Sequence, residues 1–413
     1  MASGIISYEQ SRTAPPARGA DPYAICRFLG NAVALLVIAM SVWEWWRNFV
    51  QPTDRDFLGV WAAAQLAIAG KAAAAYDSGV LHAAEAAAAT FGSAAAELPF
   101  PYAPAYLMLA LPFAGLPFPV AMALWSLCTG VFYLFAARRL MPRSGCLALA
   151  FPAAYANAAI GQNGFLTAGI FMAGLSLLSS APFAAGLVLG CLVIKPQLAL
   201  LLPVALIAAR QWRAVAGAAV SSIAILLAGL AAFGTAVNAA WLHQARFIVE
   251  ITGKGLMGWP KLASVYATAR QVGCSPEAAL AIHLAIAVAA AAVTWRIWRS
   301  QAAQEVKIAV LAAASMLMSP YVFYYDGLIM VPAFFYLLRE RERPGLLLAL
   351  WAVPLLLMAE MSMGALVNLN PLVPIVLTAL IYWHWNAAKP SRESDNLTFE
   401  QPSAVRLFQR VRQ

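Results

Sequence analysis

Apolar runs recur from Phe28 to Trp385, interrupted only by short polar or proline-containing stretches, and this pattern restricts the chain to very few folds. A helix needs about 20 apolar residues to cross a bilayer. The charged fraction is 11% and the hydrophobic fraction 62%, whereas soluble domains carry about 25% charged residues. We read an all-α polytopic membrane protein with roughly twelve passes, in a range of about 10–13.

The polar residues 1–27 contain Pro15, Pro16 and Gly19, and no small-residue cleavage site follows the span that begins near Phe28. That span reads as an anchor, preceded by a short tail. With the N-terminus in the cytoplasm, 19 of the 27 basic residues fall inside, among them Arg138/Arg139/Arg143, Arg210/Arg213, Arg296/Arg299/Lys307, Arg339/Arg341/Arg343 and those from Lys389 onward. The formal charge of +9 therefore reflects positive-inside topology, and nucleic acid is not the expected partner. This predicts a multi-pass protein of the plasma (inner) membrane, with a transmembrane unit over 28–385, a cytoplasmic tail over 386–413 and both termini cytoplasmic. Of the five cysteines, only Cys274 falls in an outer loop, so no disulfide framework or metal-ligand spacing is implied.

Two outer segments are long, 51–102 and 235–277, and function belongs on that face. Phe57, Val60, Trp61, Ala64 and Ile68 recur at helical spacing before Gly70, predicting an amphipathic helix in the interface. An Ala-rich stretch from Val80 to Phe91 predicts a second. Pro99, Pro101 and Pro104 then predict an extended or broken return to the membrane. Segments 146–160, 164–180, 182–194 and 196–209 are short for full crossings. Meeting at Gly161-Gln-Asn-Gly164 and Lys195-Pro196, they suggest helices that stop partway around a cavity.

Acids are scarce, 18 in all, and Asp56 lies just past the first span. Two readings stay open for it, a helix N-cap or a reactive carboxylate; Asp54 is the other candidate cap. Lys195 sits among apolar segments, either snorkelling from a helix end or holding an anion at a broken helix. Gln162 and Asn163 form a polar pair at a turn. Ser319-Pro-Tyr-Val-Phe-Tyr-Tyr-Asp326 places tyrosines, among them Tyr324 and Tyr325, beside Asp326. An interfacial aromatic belt explains the tyrosines but not the acid. Trp259, Lys261 and Tyr266 in the second outer segment suit either a sugar, a headgroup or the interface.

The run DFLGVWAAAQLAIAGKAAAAYD from Asp56, FPYAPAYLMLALPFAGLP from Phe100 (which includes Tyr102), GQNG from Gly161 and IKPQ from Ile194 resemble glycosyltransferase family 87. The similarity extends, in order, over roughly residues 28 to 340. It implies a GT-C-like membrane fold and a mannosyltransferase that uses a polyprenyl-phosphate sugar, with a catalytic Asp in the first outer loop; by motif position that residue is Asp56. Ala103 replaces a proline frequent in the family, and the Ser319-Pro320 loop lacks the histidines many members carry.

No P-loop or Rossmann fingerprint is present, so an outer-face site would need a donor already carried across by lipid. A phosphate leaving group needs no protonation, so one carboxylate suffices as general base and the anomeric configuration inverts. Lys195, or an outer-loop cation such as Arg246, would neutralise the departing phosphate. Gln162, Asn163, Tyr102, Tyr324, Tyr325 and Asp326 complete the expected donor and substrate contacts. No motif asks for a cofactor or divalent metal; the co-substrate is the lipid-linked sugar phosphate, and the expected acceptor is a glycan or lipid. The competing reading is a transporter or flippase of lipid-linked sugars.

Overall fold

The computed structural model describes residues 22–50, 56–88, 99–142, 147–256, 258–340, 342–363 and 367–387. Most of the two tails lies outside these residues, as does Asp54. Among the described residues the fold is helical. Its one departure is an isolated antiparallel bridge between Leu262 and Phe323.

The first span is α1 (Pro22–Val50). Leu35, Leu36, Val42, Trp43 and Trp46 are exposed along it, as lipid-facing residues should be. The segment that follows folds into α2 (Asp56–Ile68), a 3-10 turn (Ala72–Tyr76) and α3 (Ser78–Ala88), so both helices expected before Pro99 are present. The first turns of α2 are enclosed more fully than an interface helix requires: Phe57, Leu58, Gly59 and Val60 are buried in succession, followed by Ala62, Ala63 and Ala64. Such small residues let α4 (Pro104–Ala114) approach closely. Only at Ile68 does α2 expose a large apolar side chain.

Residues 99–103 have no regular structure, as the prolines dictate, and Pro104 opens α4 at the position where a missing N–H costs nothing. The long α5 (Phe118–Leu140) follows. After it come the short helices α6 (Pro152–Ile160), α7 (Gly164–Leu177), α8 (Pro182–Gly190) and α9 (Leu202–Ala208). Two 3-10 turns, Cys191–Ile194 and Pro196–Leu198, separate the last two. α1 leans on this group, with Trp45 Nε1 donating to the Ala158 carbonyl at 2.9 Å.

Next is α10 (Trp212–Gly253), which is two helices joined at Gly234 (φ 78°, ψ 177°), a conformation open to glycine alone. The expected second outer segment is thus largely structured: its first part is the distal half of α10, and α11 (Val265–Gln271) follows a 3-10 turn at Trp259–Lys261. The fold closes with α12 (Pro276–Arg299), α13 (Gln304–Ala314), α14 (Val331–Arg339), α15 (Pro344–Met363) and α16 (Leu372–Ala387). A 3-10 segment, Tyr324–Met330, leads directly into α14.

By length and composition, four described helices suffice to cross a membrane: Phe28–Val50, Phe118–Leu140, Trp212–Gly253 and Pro276–Arg299. Among the described residues, seven shorter apolar segments of 10–17 residues accompany them, two of which, Pro182–Ile194 and Pro196–Ala208, take in the 3-10 turns beside α8 and α9. α5, α12 and α14 each end in basic residues, Arg138/Arg139, Arg296/Arg299 and Arg339. Arg339 pairs with Glu305, Glu342 with His384, and the Arg296 guanidinium lies 5.8 Å from the Tyr382 ring, linking α14 to α13, and both the stretch just before α15 and the end of α12 to α16.

Candidate functional site

The breaks between the short helices build the site. Gly161 (φ 71°) ends α6 in the left-handed conformation, and a Cβ there would stand 2.5 Å from Phe57 Cβ. The chain then turns at once into α7. The first free N–H of that helix, on Gly164, is satisfied by Asn157 Oδ1 at 2.6 Å, so Asn163 need not cap it. The side chains of Gln162 and Asn163 are therefore released toward other elements.

Gln162 Nε2 donates to Asp56 Oδ2 at 2.7 Å. Its own carbonyl oxygen accepts from the Tyr102 hydroxyl at 3.3 Å, and the Tyr76 hydroxyl donates to the Tyr102 carbonyl at 3.0 Å. Asp56 lies in the first turn of α2, where a carboxylate also suits the helix dipole. Helix position and site position coincide here.

Pro196 excludes helical geometry at Lys195, which adopts φ −143° and ψ 70° between the two 3-10 turns. The ammonium does not snorkel to a helix end. It is 2% exposed, 2.6 Å from Asp326 Oδ1 and 2.9 Å from Asn163 Oδ1, and 4.8 Å from the Tyr325 ring centre. Asp326 Oδ2 in turn accepts from the Phe323 N–H at 3.1 Å. A continuous polar line therefore runs from Asp56 through Gln162, Asn163 and Lys195 to Asp326. It joins five residues from α2, the 161–164 turn, the Lys195 break and the 324–330 turn.

A cavity of about 680 Å³ lies over this line. Its walls include Asp56, Tyr102, Gln162, Lys195, Tyr324 and Tyr325, together with Leu226, Ile248 and Val249 of α10. Leu226 and Val249 are also exposed, so the cavity reaches the outside of the bundle along α10, on either side of the Gly234 kink. The rest of the wall is mostly apolar. Its only charged members among the described residues are Asp56, Lys195 and Lys261.

The tyrosines expected as an interfacial belt are turned inward instead. Tyr325 is buried and stacks on Phe323, with ring centres 5.2 Å apart, while Tyr102 stacks on Tyr106 at 4.1 Å. Burial raises the Tyr102 phenol well above its ordinary pKa, helped by Tyr106 and by the negative charge of Asp326 and Asp56. It remains a protonated donor to Gln162 at neutral pH.

Of the site residues named from sequence, Asp56, Tyr102, Gln162, Lys195, Tyr324 and Tyr325 line the cavity; Asn163 and Asp326 stand just behind it, at 1% exposure each. Arg246 does not join them, being exposed on α10 and outside the cavity wall, although Ala245 beside it is part of that wall. Trp259 and Tyr266 pack on each other away from the wall. Sequence reasoning missed Asn157, whose amide bonds the Tyr325 carbonyl at 2.8 Å and holds two turns of the site together. The only hint was an Asn inside a short apolar helix, four residues before Gly161.

Fold and site together define a multi-spanning helical membrane protein with a partly apolar, laterally reachable cavity floored by a charged network. The model of the family described as glycosyltransferase family 87 matches residues 100–320, more than half of the chain, and the protein belongs to that family. It is a membrane glycosyltransferase, which decides against the transporter reading. The matched stretch holds Tyr102, Gln162, Asn163 and Lys195 but ends before Tyr324 and begins after Asp56. No curated protein and no solved structure matches the chain.

Proposed function

We propose that the protein transfers a hexose, mannose by family resemblance, from a polyprenyl-phosphate carrier to an acceptor hydroxyl at the outer face of the inner membrane. The observation that carries this reading is the position of Asp56: a carboxylate on the wall of a mostly apolar cavity, held through Oδ2 by Gln162. The opening along Leu226 and Val249 supports a donor whose tail stays in lipid while its head reaches Asp56. The concentration of basic residues at the ends of α5, α12 and α14 supports placing those ends in the cytoplasm.

In this mechanism the acceptor hydroxyl attacks the anomeric carbon from the face opposite the phosphate. The new carbon–oxygen bond forms as the bond from the anomeric carbon to the phosphate oxygen breaks, and the electron pair leaves on the phosphate. Asp56 takes the acceptor proton, a role worth about 10² to 10⁴-fold. One displacement inverts the anomeric centre, and no second carboxylate is needed because phosphate leaves without a proton. Tyr102, Tyr324 and Tyr325 offer ring faces and hydroxyls to the sugar.

Donor class is tested with purified protein in lipid nanodiscs offered either a nucleotide sugar or the same sugar on a polyprenyl phosphate. Transfer only from the lipid-linked sugar is the expected result. Equal use of the nucleotide sugar would remove the donor assignment.

A further inference from the structure

Charge balance at the cavity leads to a residue that neither the mechanism above nor the family match assigns. A sugar phosphodiester entering beside Asp56 adds a negative charge to a mostly apolar chamber that already holds one, and an uncompensated anion there is costly. Lys195 offers little net compensation: its ammonium is already matched by Asp326 at 2.6 Å and bonded to Asn163 at 2.9 Å, so the pair is close to neutral. The remaining charged wall residue among those described is Lys261. Its ammonium is exposed and has no carboxylate partner among the described residues.

The backbone under Lys261 is nevertheless fixed. Its N–H bonds the Gly258 carbonyl at 3.2 Å in the 3-10 turn Trp259–Lys261. Asn368, itself fully buried, donates to the Leu262 carbonyl at 2.6 Å and to the Trp259 carbonyl at 3.2 Å. Leu262 forms the antiparallel bridge with Phe323, and the Ala263 N–H bonds the Val322 carbonyl at 2.8 Å. The same Phe323 N–H is the donor to Asp326. One short piece of backbone pairing thus ties an exposed cation at the rim to the loop that supplies Tyr324, Tyr325 and Asp326.

We propose that Lys261 is the phosphate-binding cation of the site, reaching from the rim to the phosphate of the lipid-linked donor and of the polyprenyl phosphate product. This rests on the donor class proposed above. Phosphate monoesters and diesters also occur on bulk phospholipids, so the test separates the two sources.

Purified wild type, Lys261→Ala and Lys261→Arg in neutral-lipid nanodiscs are titrated with a polyprenyl phosphate, the matching polyprenol and phosphatidylglycerol. Wild type should prefer the polyprenyl phosphate to the polyprenol. Lys261→Ala should weaken phosphate binding about 10- to 100-fold, the range for a hydrogen bond to a charged group, without changing polyprenol binding. Lys261→Arg should restore most of it. A phosphate preference that Lys261→Ala leaves intact overturns the role of Lys261 alone. Wild type without any phosphate preference overturns the donor class and this role together. An equal loss for phosphatidylglycerol, with no preference for the polyprenyl carrier, makes Lys261 a bulk-lipid contact and also overturns the proposal.

Discussion

Gln162 and Asp56, 106 positions apart in the chain, are joined by a 2.7 Å hydrogen bond in which the amide N–H donates to the carboxylate. The amide's other end accepts from Tyr102. Gln162 is therefore oriented on both sides and holds one carboxylate oxygen in place, leaving the Asp56 side chain at the cavity wall with a fixed direction.

Gln162→Ala should lower kcat about 10-fold, a fraction of the 10² to 10⁴ expected of a general base, with KM for the donor little changed. Steady-state kinetics on protein that elutes as wild type separate the two parameters. A rise in KM at constant kcat would make Gln162 a substrate contact instead of a support for Asp56.

The Lys195–Asp326 pair predicts an asymmetry between single and double substitutions. Removing one partner leaves a buried charge unmatched, so Asp326→Ala should destabilise the protein by roughly 3–5 kcal/mol. Lys195→Met combined with Asp326→Leu should recover much of that loss, because both charges go together. Thermal unfolding in detergent reads the difference; a double variant as unstable as Asp326→Ala would show that Asn163 and Phe323 bonds dominate the local stability.

The transmembrane orientation is testable with cysteines placed on a background free of the native five. A membrane-impermeant maleimide added to intact spheroplasts should label Lys71→Cys, which is exposed after α2. It should leave Arg299→Cys, in the last turn of α12, unlabelled until the membrane is opened. The reverse pattern would invert the topology and with it the face on which the cavity lies.

Much of the architecture is legible from residue order, because proline and glycine act locally. Pro104, Pro152, Pro182 and Pro276 each stand at the start of a helix, and Gly161 ends one. The short segments around Lys195 follow from the same punctuation. Pairing is harder to read, since it depends on which breaks meet in space. Nothing near Lys195 in sequence names Asp326, 131 positions away, and the snorkelling alternative is removed only when the two are seen in contact. From sequence Arg246 stands as an alternative cation to Lys195; one helical face separates it from the cavity wall that Ala245 joins. Likewise Tyr325 reads as belt or as site until its ring is found stacked inside the cavity.

If Asp56 removes the acceptor proton, its isosteric amide cannot, and Asp56→Asn is the decisive substitution. The substitution keeps shape and preserves a hydrogen-bonding group beside Gln162, so purified Asp56→Asn should elute and unfold as wild type does. Its rate of sugar transfer from a polyprenyl-phosphate donor should fall about 10² to 10⁴-fold. Transfer at the wild-type rate by the folded variant would rule out Asp56 as the base.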